Sequence, residues 1–375
     1  MKNILLTTSV TLSLCIAAFA YPAAKYNAAN PAFTVFAGGD FGWKNWQPLD
    51  QRYCDLFNNG VQPLNDCDSG DRSAHATAST EQQLTANFMA SVAEKVKPSF
   101  LVNVGDNFYS SGLKLNDTFS INRFYAAYVD TYNHSSLNFP WYMTIGNHDI
   151  LGDVEFETEL AHKLDARWIM PSSYYSHDFQ QNGVSALFIH YDSDCFISKY
   201  QKDSSVYKVP YVVDCNRVKE DQIQFIKSAL SNSTHDYKFV LAHHPVWSSS
   251  ANYTTDLAEI NDLVQQHKAI YINGHDHCMA LYQQNDVPYI LTGGMGLTEP
   301  GDCNNGVRFG NFTVKLFASQ AKQGGQAPGG FVSMDFTKSE LVVNYWTRDG
   351  NNIKQASKKP SYSVTVPAAL DKQWW

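Results

Sequence analysis

Residues 100–109 read Phe100-Leu101-Val102-Asn103-Val104-Gly105-Asp106-Asn107-Phe108-Tyr109, a β-branched and aromatic run that stops at a glycine and is followed at once by a carboxylate, an amide and a phenol. Four other segments repeat the design. Phe33-Thr34-Val35-Phe36 leads to Gly39-Asp40-Phe41-Gly42, and Trp141-Tyr142-Met143-Thr144-Ile145 leads to Gly146-Asn147-His148-Asp149. Phe239-Val240-Leu241 leads to His243-His244-Pro245, and Ala269-Ile270-Tyr271-Ile272 leads to Gly274-His275-Asp276-His277. Each run has the length and composition of a buried strand. Sites in open α/β sheets form beyond the carboxyl ends of strands, so blocks far apart in the chain can meet in space.

The blocks offer carboxylate, phenolate, amide and imidazole donors, a set for hard and borderline cations and not for soft thiophilic ones. Asp106 has two oxygens and can bridge two ions. A tyrosine three residues later is an unusual ligand that suits a ferric ion as phenolate, leaving neutral donors for a divalent partner. Two ions about 3.5–4 Å apart clamp the attacking and leaving oxygens of an in-line displacement. The blocks therefore read as a two-metal hydrolytic site. Asp40-Phe41-Gly42 also matches the magnesium-binding triplet of protein kinases, but the sequence has neither a His-Arg-Asp catalytic loop nor a Gly-rich loop followed by a strand lysine. Taken singly, Asp106 and Asn147 pass as turn residues and the histidines as core residues. Explaining all five blocks that way requires five coincidences at five strand ends.

Between the strands lie amphipathic helices. Thr80 to Lys97 places Leu84, Phe88, Val92 and Val96 on one face, with a Thr80-to-Gln83 capping box and Pro98 beyond the end. Asp221 to Leu230 and Asp256 to His267 show similar stripes. Phe331 to Phe336 and Leu341 to Trp346, joined by Thr337-Lys338-Ser339-Glu340, read as a hairpin. Helices alternating with strands early and a hairpin late imply a layered α/β fold with mixed sheets.

The order and content of the blocks resemble the purple acid phosphatases within the calcineurin-like metallophosphoesterases, most closely the small tartrate-resistant acid phosphatases of animals. The resemblance runs from about Phe33 to Lys354 and includes Arg167-Trp168, Pro171-Ser172 and Pro245-Val246-Trp247-Ser248. It implies a four-layer α/β/β/α sandwich of two mixed sheets flanked by helices. It also implies a metal centre of Fe(III) plus one divalent ion, Fe(II), Zn(II) or Mn(II), and hydrolysis of phosphate monoesters with metal-bound hydroxide as nucleophile. By similarity, Asp40, Asp106, Tyr109 and His277 hold Fe(III), while Asp106, Asn147, His243 and His275 hold the divalent ion. His148 is then the group that meets the phosphate or the departing alcohol, Asp149 orients it, and His244 supports the site by a hydrogen bond.

Tyr109 separates this expectation from its neighbours. A phosphodiesterase or nucleotide pyrophosphatase shares the dimetal core but lacks the tyrosine whose charge transfer to iron gives the purple enzymes their colour. Iron carriage without catalysis calls for a broken ligand set. One position departs from the animal pattern, in which a second histidine lies nine residues after the ligand of the His243 block. Here that position is Asn252, so which residue is the general acid stays open.

Met1 to Ala20 has Lys2, an apolar run and Ala18-Phe19-Ala20, the form of a cleaved signal peptide (1–20) that leaves 21–375 as a single catalytic domain. Removing Cys15 leaves six cysteines, and an even number in a secreted chain favours disulfides. Sequence neighbours suggest Cys54 with Cys67, Cys195 with Cys215, and Cys278 with Cys303. Five sequons, at Asn116, Asn133, Asn232, Asn252 and Asn311, fit a secreted or lysosomal/vacuolar glycoprotein. The formal charge of −8 argues against nucleic acid or an anionic membrane as partner. The expected partners are small phosphate monoesters or phosphoproteins, with no membrane anchor. By resemblance, the segment between Cys195 and Cys215 overhangs the site, and its lysines at 198–208 would admit an activating protease.

Overall fold

The computed structural model describes residues 30–42, 80–109, 111–202, 215–248, 253–296, 298, 313–318, 329–348 and 359–368. The expected signal peptide (1–20), Cys54, Cys67, Cys303, Asn252, Asn311 and residues 203–214 lie outside them.

The first sheet is built from β1 (Phe33–Gly38), β2 (Phe100–Asn103), β3 (Trp141–Tyr142) and β4 (Trp168–Ile169) on one side. The second takes β5 (Tyr175–Gln181), β6 (Val184–His190), β7 (Tyr237–Leu241), β8 (Ile270–Asn273), β9 (Met279–Gln284), β10 (Val287–Thr292) and β11 (Thr313–Ala318). β12 (Gly330–Phe336), β13 (Glu340–Thr347) and β14 (Tyr362–Pro367) return to complete the first. The orders are β14-β13-β12-β1-β2-β3-β4 and β11-β9-β10-β8-β7-β6-β5. Both sheets are mixed: β1 to β4 and β6, β7, β8 and β10 run parallel, while β12 pairs antiparallel with β1.

Strand alternation produces the layers. Val35 and Ala37 of β1 enter a core shared with Phe188, Phe239 and Ile272 of the other sheet, while Phe36 points to the opposite core with Phe88, Trp141 and Phe331. A third core joins Ile189, Val240 and Tyr271 to Ile223, Ile226 and Leu263. These last three belong to α3 (Cys215–Asn232) and α4 (Ala258–Gln266), whereas Phe88 belongs to α1 (Thr80–Val96); the short α2 (Ser198–Lys202) precedes α3. Three cores separate four layers, and strands buried on both faces explain why the five runs lack polar alternation.

The expected helices are present with shifted ends. The first stops at Val96 because Lys97 turns into the left-handed region (φ 50°) before Pro98. The second begins at Cys215, six residues before Asp221, in a stretch whose one half-buried apolar side chain is Val218. The third begins at Ala258, since Asp256 accepts from Ser198 N (3.1 Å) and Ser198 Oγ (3.2 Å) in α2 instead of capping its own helix. A second hairpin, β5–β6, is not among the expected elements; it turns at Asn182-Gly183, whose φ values of 52° and 77° fit a two-residue turn with both central residues left-handed.

Candidate metal centre

Each of the five blocks leaves the carboxyl end of a strand or its extension, and the chain must turn at once. Asp40, Asp106 and His275 accordingly carry positive φ, at 58°, 51° and 72°. Non-glycine residues occupy this region uncommonly, and it collects at functional sites. The neighbouring glycines exist for contact. A Cβ on Gly146 would overlap Asp106, and one on Gly274 would overlap the carboxylate of Asp40.

The side chains converge as two groups sharing one residue. Ligand atoms of Asp40, Asp106 and His277 lie within 4.8 Å of one another, as do those of Asp106, His243 and His275. Tyr109 joins the first group: its OH donates to Asp40 Oδ1 (3.0 Å) and lies 2.9 Å from His277 Nε2. Asn147 joins the second, with Oδ1 3.0 Å from His243 Nε2 and 2.9 Å from His275 Nδ1. His275 Nδ1 and His243 Nε2 approach to 3.1 Å with their rings nearly perpendicular, and His243 Nε2 is 3.2 Å from Asp106 Oδ2. Donors about 2.1 Å from a common ion and at right angles to each other stand about 3 Å apart, so this spacing fits a cation within each group. All seven residues expected as ligands are therefore together, and their oxygen and nitrogen atoms suit hard and borderline ions.

Electrostatics prepares the cluster for positive charge. Burial alone would raise Asp106, but the His243 and His148 charges and hydrogen bonds hold it well below the usual carboxylate range. Burial opposes charge on His243, yet Asp106 and Asp40 keep its proton up to about pH 9. An incoming cation must displace that proton. Burial, followed by the Asp106 and Asp40 charges, pushes the Tyr109 phenol well above its ordinary value. His243 Nδ1 donates to Val104 O (3.0 Å), which leaves Nε2 to face the other donors.

Asp149 has a different place from the one the resemblance gives it. Its carboxylate accepts from Asn107 N (2.8 Å), Phe108 N (3.0 Å) and Gly146 N (2.9 Å), tying together the two loops that carry Asp106 and Asn147. Beneath it, Asn107 Nδ2 donates to Glu157 Oε2 (2.8 Å) and to Thr144 O (2.9 Å). Glu157 sits in a polar stretch with no local signal for this role. Burial, then the Asp149 charge, pushes Glu157 well above its ordinary value of 4.5. As pH rises through 4.5, the unfolded chain gives up a proton the folded chain keeps, so this group costs the metal-free protein stability as pH climbs. Glu157→Gln stays neutral and still accepts from Asn107. It should gain stability relative to wild type from pH 4.5 to neutrality, read as urea midpoints; a constant difference would mean Glu157 is ionised in the fold.

His148 is half-buried at the rim, its N donating to Asp106 Oδ1 (2.9 Å) and its ring 4.6 Å from that of Tyr109. His244 is buried, with Nδ1 2.9 Å from Ser193 Oγ and Nε2 3.0 Å from Tyr200 OH. Cys195 and Cys215 form a disulfide, and Cys278 is also disulfide-bonded. Asn116, Asn133 and Asn232 are exposed.

Comparison with known proteins places this site in context. The family model described as calcineurin-like phosphoesterase matches residues 78–279. The chain is 28% identical over 289 residues to purple acid phosphatase 7 of Arabidopsis thaliana, covering 74% of this chain and 80% of the relative. It is 26% identical over 287 residues to tartrate-resistant acid phosphatase type 5 of Homo sapiens, covering 72% and 82%. Among solved structures, GAP50, the anchor in the inner membrane complex of Plasmodium, superposes with a TM-score of 0.61 at 17% identity, covering 88% of each chain. A dimetal phosphatase from Danio rerio superposes with a TM-score of 0.50 at 13% identity, over 91% of this chain and all of the other. The two structural likenesses speak to the fold alone.

Proposed function

Because the chain belongs to the calcineurin-like phosphoesterase family, we propose that it is an acid phosphatase of the purple type, hydrolysing phosphate monoesters at a centre of one Fe(III) and one divalent ion, Fe(II), Zn(II) or Mn(II). The observation that carries this reading is Tyr109, whose phenol lies within hydrogen-bonding distance of Asp40 and His277 in one group while Asp106 is shared with the other. A phenolate ligand favours a trivalent ion on that side. The second side, with Asn147, His243 and His275, offers neutral donors for a divalent one.

Two cations held there supply charge against the anionic phosphate and activate water for attack. The chain's own residues do the rest. Asp106 fixes the separation of the two groups, and its hydrogen bond from His148 N sets that histidine at the rim. From the rim, the His148 side chain reaches an entering phosphate ester and hands a proton to the departing alcohol. Asp106 and His275 are both held well below their ordinary values, whereas His243 keeps its proton until a cation displaces it. For His275 the causes are burial, then the His243 charge.

Small monoesters or phosphoproteins are the substrates of this reading, in a secreted or lysosomal/vacuolar setting. Among the described residues, no helix is long and apolar enough to cross a membrane. A panel of monoesters and diesters assayed at acidic pH on purified protein tests the reaction class. Monoesters should be preferred, and diesters turned over much faster would replace this reading with a phosphodiesterase.

The role of His148 has its own test. General acid help is worth about 10²- to 10⁴-fold, so His148→Ala should lose that much with alkyl esters and far less with aryl esters, whose leaving groups need little protonation. Equal losses for both classes would assign His148 to holding the phosphate.

A further inference from the structure

His275 is the one imidazole of the centre that presents Nδ1 inward, 2.9 Å from Asn147 Oδ1 and 3.1 Å from His243 Nε2. Its Nε2 points outward and meets Tyr253 OH at 2.8 Å. An imidazole that gives one nitrogen to a cation is oriented by the partner of its other N–H, which fixes tautomer and ring angle. For His243 that partner is the carbonyl of Val104. For His275 it is a phenol.

The surroundings of that phenol are braced. The His244 ring lies 4.6 Å from the His275 ring and 5.1 Å from the Tyr253 ring, closing the side of the contact. Tyr253 O accepts from Leu257 N (2.9 Å), anchoring Tyr253 to the turn that starts α4. The α2 helix then grips both: Tyr200 OH is 3.0 Å from His244 Nε2, and Ser198 donates to Asp256. That helix leaves the Cys195–Cys215 disulfide.

We infer that Tyr253 is a positioning residue for the divalent half of the centre, accepting a hydrogen bond from His275 Nε2–H so that Nδ1 keeps its lone pair for the metal. His244 and Tyr200 hold this contact in place from the disulfide-tethered side. The inference rests on the two-metal reading of the site, and its test separates the two.

Tyr253→Phe removes one oxygen, keeps the ring and leaves the Asn252-X-Thr254 sequon intact. Metal-free wild-type and variant proteins are titrated with Zn(II) by calorimetry, without an activity assay. Wild type should show two binding events. The variant should weaken one of them about 10–100-fold, the usual scale for losing such a partner, and leave the other within about twofold. Two unchanged affinities, or both weakened equally, would overturn the positioning role. A wild type that binds no Zn(II) would overturn the two-metal reading and this inference with it. Nitrogen NMR of His275 in Zn(II)-loaded wild type needs no variant: Nε2 should carry the proton and Nδ1 the metal shift, and the reverse assignment overturns the proposal.

Discussion

Asp106→Asn is expected to abolish monoester hydrolysis, lowering the rate by more than the about 10²- to 10³-fold that removing a single preorganised electrostatic contact costs. The carboxylate is common to both groups of ligand atoms, with Oδ1 accepting from His148 N and Oδ2 3.2 Å from His243 Nε2. The amide is nearly isosteric, so the fold survives, but it offers one oxygen instead of two and no charge. The His243 proton, held at about pH 9 chiefly against burial by Asp106, should at the same time become easier to lose. Because the shared oxygen and its charge are gone from both groups, the variant should nonetheless carry at most one ion per chain, measured by elemental analysis beside the rate. A variant within tenfold of wild type, retaining two ions, would remove Asp106 from the bridge.

Tyr109→Phe should separate colour from catalysis. The phenol is buried, with its OH on Asp40 Oδ1 and near His277 Nε2, and two carboxylates raise its proton affinity beyond what burial does. A highly charged cation would offset that cost, so on the proposed reading a phenolate here would mark a ferric ion. Phe keeps the ring against His148 but cannot ligate. The visible band should vanish, while hydrolysis falls about 10–100-fold, as for other changes to a ligand environment. Absorbance spectra and rates on one preparation check both. A wild type without a visible band, or a variant that keeps it, would take Tyr109 out of the ligand set.

The blocks were legible because the chemistry sits where apolar runs stop, and a strand buried on both faces has no other place for polar side chains. The resemblance added the partition of ligands, and the side chains of Asp40, Tyr109 and His277 and of Asn147, His243 and His275 lie in those two groups. What the sequence hid depends on contacts between distant segments. Asp149 looked like a partner for the adjacent histidine, but its carboxylate is occupied by backbone N–H groups 41 and 42 residues away. Glu157 and Tyr253 carry no local mark of their contacts with Asn107 and His275. The third helix was expected to open at Asp256, yet the carboxylate of that residue is used by Ser198 on another element. The early start of α3 was hidden for a related reason, since Cys215 is fixed by its bond to Cys195 and not by an amphipathic stripe. The expected stand-in at Asn252 and the 203–214 part of the tethered segment lie outside the described residues.

The most direct test of the two-metal account is metal stoichiometry measured against monoester hydrolysis on a single purified sample, stripped with chelator and reloaded stepwise. The account predicts about two ions per chain, one of them ferric, with activity lost on stripping and returning only as the second ion binds. Full activity persisting in the stripped protein, or intact wild type that takes up no ions, would contradict it.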